Sequence, residues 1–419
     1  MPFVLKQMRP GGRYVRSRFH LIMNTRLQIS SRRQFISSTA RLAAASLAAP
    51  YIARGEALSA KIIEAKVISK QPEFYHGWPT VAQRKNGELW LSWSGGREGH
   101  VCPFGQVHAM TSRDDGATWS WPRVLLDSAI DDRDSGVLET AKGTLIASTF
   151  TSLAYEEHLN KASTFAEHSE KGWESKGMPP EQLARWTAAN ARLSKEERKA
   201  ELGEWLIRST DGGLTWSARL PTIVNSPHGP IQLKDGRLLY AGKQLWFKEG
   251  KVGVCESKDD GLTWQWLAEI PNRKGDKNGY HELHAVEAAD GTLIAHIRNH
   301  NEANKGWTLQ TESIDGGKSW SEPHPICYGL PSHLLRLRDS RLIMTYGHRR
   351  SPFGNRARIS SDNGKNWSGE IVLSGDGKGG DLGYPSTVEL GDGTLLTVWY
   401  ESMAEPKLAV LRQAKWRVE

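Results

Sequence analysis

The chain is poor in several features that would assign its class directly. It has three cysteines in 419 residues, Cys102, Cys255 and Cys327. Their odd number and wide separation argue against a disulfide framework or a cysteine zinc site, although a single bridge stays open. No segment reaches membrane-spanning length. The weakly apolar run from Leu42 to Ala53 is short, alanine-rich and bounded by Arg41, so no permanent transmembrane helix is expected. No spacing of His, Cys, Asp and Glu reads as a metal-ligand set, and neither metal nor other cofactor is expected. At 38% hydrophobic residues, the composition suits many half-buried strands better than one continuous core. Charge of one sign is also missing from most of the chain. The net charge of +8 arises in residues 1–60, which hold ten Lys and Arg against one acid, Glu56, whereas the remainder has 45 bases against 46 acids. A nucleic-acid partner would require a basic face on the folded part, so none is expected.

The basic first 60 residues have a pattern of their own. Ser31-Arg32-Arg33-Gln34-Phe35-Ile36 precedes the alanine-rich run, and small residues follow at Ala57 and Ala60. Paired arginines ahead of a weakly hydrophobic segment read as a twin-arginine export signal. The expectation is a leader over 1–60 and a soluble periplasmic or extracellular domain over 61–419.

Tryptophan and glycine are abundant, at 17 and 41 residues, and both recur in a repeat. Ser-x-Asp-x-Gly-x-Thr-Trp occurs five times, at Ser112–Trp119, Ser209–Trp216, Ser257–Trp264, Ser313–Trp320 and Ser360–Trp367, with Ser319 and Asn366 at the Thr position of the last two. The Asp can accept backbone N–H groups inside a turn, and the Trp can cover a neighbouring hairpin. A second pattern occurs six times. Turns at Asn86-Gly87, Lys142-Gly143, Asp235-Gly236, Asp290-Gly291, Asp339-Ser340 and Asp392-Gly393 each precede an apolar strand, which suits two-residue hairpins. Six hairpins spaced near 50 residues imply repeated sheets closed into a ring. The sixth unit lacks the Asp turn, and pairing of a strand near 61–69 with one near 407–413 would complete it. Residues 154–204 are rich in charge and helix formers and interrupt the second unit. They read as a helical insertion, either a lid or an interaction surface.

These Asp turns on a six-hairpin chain resemble the sialidase (neuraminidase) superfamily, the Asp-box or BNR-repeat propellers, over about residues 70–402. The resemblance implies an all-β, six-bladed β-propeller with the insertion in blade 2. It also implies a carbohydrate substrate, because the starts of the inner strands converge on one axial mouth. Three positions match family motifs. Tyr384 in Gly383-Tyr384-Pro385-Ser386-Thr387 resembles the nucleophilic tyrosine. Glu282 in His281-Glu282-Leu283-His284 resembles the glutamate that partners it. Arg298, after Leu293-Ile294-Ala295-His296-Ile297, resembles one arginine of the carboxylate-binding triad. The chemistry is coherent. A carboxylate nucleophile would be repelled by an acid-bearing anomeric carbon, whereas a phenol deprotonated by glutamate is not. Arginines bind a carboxylate in a forked geometry.

Two family parts are absent from their places. His76-Gly77-Trp78-Pro79 has Gly where an arginine stands in the family, and the loop Gly95–Gly105, where the acid/base aspartate should lie, contains no Asp. Arg97, Arg133, Arg349 and Arg350 are the candidates to complete an anion pocket. Glu98, nearest the family position, leads as proton donor, with Asp132 or Asp134 behind it. His76, His228 and His333 are further candidate contacts to substrate. The reading is an exported, retaining exo-glycosidase of the exo-α-sialidase type acting on terminal, acidic sugars. The alternatives are a glycan-binding propeller without catalysis, or a glycosidase or lyase for a uronic sugar.

Overall fold

A computed structural model describes residues 59–162, 178–403 and 408–419. The export-signal reading of residues 1–60 lies almost entirely outside them. Twenty-four strands form six antiparallel four-stranded sheets. Five are built from consecutive strands, beginning with Tyr75–Gln83, Asp131–Glu139, Ile231–Gln232, Tyr280–Glu287 and Ser332–Arg336. The sixth begins at Leu382–Glu389 and continues through Leu395–Ser402 and Ala409–Val418. Its outer strand is Ala60–Val67, paired with Ala409–Val418 from Ala60 opposite Val418 to Val67 opposite Arg412. The expected closure is present, with the C-terminal partner a few residues later than the sequence suggested.

Apolar contact runs between sheets rather than through one central core. Each neighbouring pair shares a buried cluster, including the pair formed by the first and sixth sheets, where Trp78, Leu91 and Trp93 meet Val388, Leu396 and Tyr400. The sheets therefore form a closed six-bladed β-propeller.

The Asp turns join the third and fourth strands of five blades and have one hydrogen-bond pattern. In the first, Ser112 Oγ donates to Asp114 Oδ1 (2.7 Å) and accepts from Gly116 N (2.8 Å), while Thr118 N and Oγ1 donate to the two Asp114 oxygens (2.9 and 2.6 Å). The glycine lies against the preceding blade. At Gly213 (φ +89°) an added Cβ would come within 2.2 Å of the Trp90 ring. The blade that lacks this turn is the one whose third and fourth strands come from opposite ends of the domain and have no connection to carry it. There the fully buried Trp416, with Trp399 and Leu395, packs on Ile343 and Ala357 of blade 5.

The tight hairpins differ from expectation. Gly87 N bonds to Arg84 O (2.9 Å) and Arg84 N to Glu88 O (2.8 Å), and Gly87, but not Asn86, has positive φ. This is a type I turn followed by a left-handed residue, not a two-residue type I′ turn. The Asn or Asp is selected for a different reason. Its side chain accepts the N–H two residues on, as from Glu88, Arg237, Thr292, Arg341 and Thr394.

Helices Ala154–Ala162, Pro180–Asn190 and Lys195–Ala200 lie between the second and third strands of blade 2, the last started by a Ser194–Glu197 capping box. Tyr155, Leu159 and Trp186 of this insertion pack on Cys102 and Phe104, in the loop after the first hairpin of blade 1. Cys102, Cys255 and Cys327 are buried and unbridged. No helix among the described residues is long and apolar enough to cross a membrane.

Candidate functional site

In four blades the first strand carries an irregularity at the same level. Register shifts fall between Tyr75 and Thr80, Arg133 and Gly136, His281 and His284, and Gly383 and Ser386. Within them Trp78, Asp134, Glu282 and Tyr384 adopt left-handed backbones, with φ of +56°, +53°, +43° and +51°. A bulge re-aims a side chain, and non-glycine residues in this conformation concentrate at functional sites.

Glu282 of blade 4 and Tyr384 of blade 6 meet across the mouth. The Tyr384 hydroxyl donates to Glu282 Oε1 at 2.6 Å. Arg298 Nη1 donates to Glu282 Oε2 (2.5 Å) and to the Tyr384 oxygen (2.9 Å), and Arg298 Nε donates to His300 (2.7 Å). Burial pushes Glu282 upward, but Arg298 and then the Tyr384 hydroxyl hold its pKa below the usual carboxylate value. Burial, then the Glu282 charge, push the Tyr384 phenol well above its ordinary value, against Arg298 and Arg349. The pair is set as an ionised base and a neutral phenol joined by a short hydrogen bond.

Arg349 of blade 5 places its guanidinium carbon 5.7 Å from the centre of the Tyr384 ring, and its buried Nε and Nη2 have no hydrogen-bond partner. Buried, unpartnered guanidinium N–H groups are costly unless an anion fills the space. Arg298 and Arg349 line one open cleft of about 440 Å³ with His300, Lys305, Tyr328 and Leu330. Arg133 lies over the Trp78 ring at 4.6 Å, with its buried Nε likewise unpartnered. Arg350 is exposed at the rim and stacks on Tyr328, 3.5 Å from the ring centre.

Asp134 is 7% exposed. Burial, then the nearby Glu282, raise its pKa to about 7, opposed by Arg133, Arg97 and Arg298. It therefore belongs to the cluster around Glu282 and Tyr384.

The other candidates are placed elsewhere. Arg97 is wholly buried and grips both Asp131 oxygens, at 2.6 and 3.1 Å. It supports Trp78 and holds the loop behind it rather than facing a ligand. Glu98 accepts from Arg185 Nε (2.9 Å) and Trp186 Nε1 (2.8 Å), so it clamps the helical insertion to the rim. Asp132 is wholly buried and accepts from Ser128 N at 2.7 Å. Burial raises its pKa to about 7, and its buried Oδ1 has no hydrogen-bond partner. His76 is sealed between Gln71 O and Trp93 Nε1. His333 stacks on His284 at 4.4 Å and His228 meets both rings edge-on at 5.0 and 5.3 Å, in a buried trio. Nδ1 of His284 and of His333 accept backbone N–H groups from Leu334 and Thr387. Each neutral ring then carries its proton on Nε2 and offers no lone pair to a cation. No group of acids, cysteines and histidines among the described residues is arranged to hold a metal.

One constellation at the mouth was given no role from the sequence. Asp381 accepts from the Tyr75 and Tyr400 hydroxyls (both 2.9 Å) and from His100 Nδ1 (3.0 Å). The His100 ring meets the Trp78 ring edge-on at 5.1 Å, and Trp78 lies 6.4 Å from Tyr384. The one available signal was that His100 stands in the loop where the family keeps its acid.

Comparison with known proteins agrees with this architecture. A curated sialidase from Paraclostridium sordellii is 22% identical over 251 residues, covering 55% of this chain and 52% of that protein. The chain thus spans about half the length of that relative. Among solved structures, a protein of unknown function from Dyadobacter fermentans superposes with a TM-score of 0.68 at 23% identity, over 86% of this chain and all of the other. The intramolecular trans-sialidase of Ruminococcus gnavus superposes with a TM-score of 0.56 at 14% identity, over 82% of this chain and 94% of its own. At these identities the solved structures share the fold. The sequence profile described as a BNR repeat-like domain matches residues 179–397, more than half of the chain. With five Asp turns on a closed six-bladed ring, the chain belongs to the BNR repeat-like, sialidase-like propeller family.

Proposed function

We propose that the protein is a retaining exo-glycosidase of the exo-α-sialidase type, acting on a terminal sugar that bears a carboxylate. The observation that carries the reading is the Tyr384–Glu282 hydrogen bond of 2.6 Å, bridged by Arg298 and flanked by the unpartnered N–H groups of Arg349. Tyr384 attacks the anomeric carbon while Glu282 takes its proton, so that no anionic nucleophile approaches the substrate carboxylate. Arg298 and Arg349, which line one cleft, hold that carboxylate. Asp134, beside Glu282 and with its pKa raised to about 7, carries its proton about half the time at neutrality and in that form can donate a hydrogen bond to the sugar. The paired Arg32-Arg33 in the leader favours work outside the cytoplasm.

The test is a panel of 4-nitrophenyl α-sialosides, uronides and neutral glycosides. An acidic glycoside is expected to be cleaved with net retention, and Tyr384→Phe to lower kcat by roughly 10³-fold or more. Binding without turnover across the panel would overturn the enzymatic reading in favour of a glycan-binding propeller. Full activity of Tyr384→Phe would remove the nucleophile.

A further inference from the structure

Glu282 and Tyr384 share a hydrogen bond of 2.6 Å, although their blades, the fourth and the sixth, are not neighbours. The short way round the ring between them runs through the first strand of blade 5, Ser332–Arg336. The first strand of each blade is paired on one side only, and in blades 4, 5, 6 and 1 these strands meet one another around the axis. N–H groups on the open edge have no sheet partner, and a buried N–H without an acceptor is costly.

Side chains of the preceding blade supply the acceptors. His284 Nδ1 of blade 4 accepts from Leu334 N of blade 5 at 2.9 Å, and His333 Nδ1 of blade 5 accepts from Thr387 N of blade 6 at 3.4 Å. Ser386 Oγ of blade 6 accepts from Val81 N of blade 1 at 3.1 Å. Ser226, ahead of the first strand of blade 3, donates from Oγ to the Leu283 carbonyl of blade 4. The four links form a belt around the axis, and each has one end within three residues of Trp78, Glu282 or Tyr384.

We infer that His284 and His333 are positioning residues, which hold blades 4, 5 and 6 in the register that lets the Tyr384 hydroxyl reach Glu282. The inference rests on the role proposed above for that pair. Both rings are buried and stack on each other with centres 4.4 Å apart, and His228 closes the trio edge-on. An Nδ1 that accepts carries no proton, so the belt is intact only while both rings are neutral. Their surroundings enforce this. The titratable groups that act on the trio are its own members and His296, with no carboxylate of the described residues among them. Burial first, and then the neighbouring imidazoles, hold all three well below the ordinary 6.5. The unfolded chain takes up a proton on each ring near pH 6.5, which the folded trio refuses until far lower pH. This share of the stability is fully present above about pH 6.5 and is lost as pH falls toward the folded values.

The experiment compares wild type with His284→Asn, His333→Asn, His284→Leu, His333→Leu and the double Asn variant in the full chain. Asn sets an amide oxygen near the place of Nδ1 and does not titrate, whereas Leu fills the space and accepts nothing. Rates are taken below the thermal midpoint of each variant, on the acidic 4-nitrophenyl glycoside that wild type cleaves. Each Leu variant is expected to lose roughly 10²-fold in kcat with KM within about threefold of wild type, because Arg298 and Arg349 still hold the carboxylate. Each Asn variant should recover at least about tenfold of that loss. Equal losses with Asn and Leu, or a kcat unchanged by Leu, would overturn the positioning role. Urea unfolding as a function of pH needs no substrate. Between about pH 6 and 5 the double Asn variant should take up about two protons fewer than wild type on unfolding. Equal slopes would overturn the dependence of the belt on neutral rings. A wild type inert toward the whole glycoside panel would overturn the proposed reaction and the catalytic part of this inference, and the unfolding slope alone would then uphold or overturn the belt.

Discussion

Asp134 combines a left-handed backbone (φ +53°) with 7% exposure, and burial, followed by the Glu282 carboxylate, raises its pKa to about 7. In the unfolded chain an aspartate titrates near 3.9. As pH rises from about 4, the unfolded state releases this proton while the folded state retains it. The contribution of Asp134 to stability is therefore fully present below about pH 4 and lost as pH rises through about 7, by an amount on the order of 4 kcal/mol. Asp134→Asn keeps the shape, and Asn accepts the left-handed conformation as readily as Asp. Its Tm should exceed that of wild type at pH 8, with the gain vanishing toward pH 4. A gain independent of pH would show that the carboxyl is not held in its neutral form. Legibility differed among residues of one site. Tyr384, Glu282 and Arg298 were visible because each lies in a strand segment with recognisable neighbours. The twisted backbones of Trp78, Asp134, Glu282 and Tyr384 were not visible, since a positive φ is signalled in sequence by glycine and only weakly by Asn or Asp. Arg97 and Arg349 looked equivalent as strand-end arginines, and only the contact of Arg97 with Asp131 separates them. His100 was hidden because its partner Asp381 lies 281 positions away.

At the scale of elements, the Asp turn is a latch between blades. In Ser257–Trp264, Asp259 accepts from Ser257 Oγ (2.8 Å), Thr263 N (2.9 Å) and Thr263 Oγ1 (2.6 Å), and Gly261 rests against Ile146 of the preceding blade. Hydrogen bonds to a charged acceptor contribute about 1.5–3 kcal/mol each at best, and exposure reduces that. Asp259→Ala should therefore cost about 2 kcal/mol in urea unfolding, with Asp259→Asn in between. An unchanged midpoint for the alanine variant would mean that the turn holds its shape without the carboxylate. These turns were fully legible because their bonds are local, within five residues of one another. The insertion between blade-2 strands was legible as helix formers, but its docking onto the blade-1 loop through Trp186 and Arg185 was not, because composition does not record which surface a helix meets.

At the scale of the whole molecule, five latches serve six interfaces. The sixth, between blades 5 and 6, relies on Trp416, which is wholly buried and donates from Nε1 to Thr397 Oγ1 at 2.9 Å. Trp416→Ala should cost about 3–5 kcal/mol, more than Asp259→Ala, and lower the thermal midpoint of the entire ring, because each blade shares its buried clusters with its neighbours. A small or local effect would mean that the ring tolerates an open seam. The six hairpins and the missing sixth latch foretold the closed ring and its seam, whereas the route by which its arginines divide between scaffold and mouth emerged only in three dimensions. The bulges that turn Trp78, Asp134, Glu282 and Tyr384 toward the mouth lie inside hydrogen-bonded strands, not in the loops around them. Natural drift or a laboratory library can thus rewrite the rim segments and change what the mouth admits, while the arrangement of Tyr384, Glu282 and Arg298 stays fixed by the geometry of the blades.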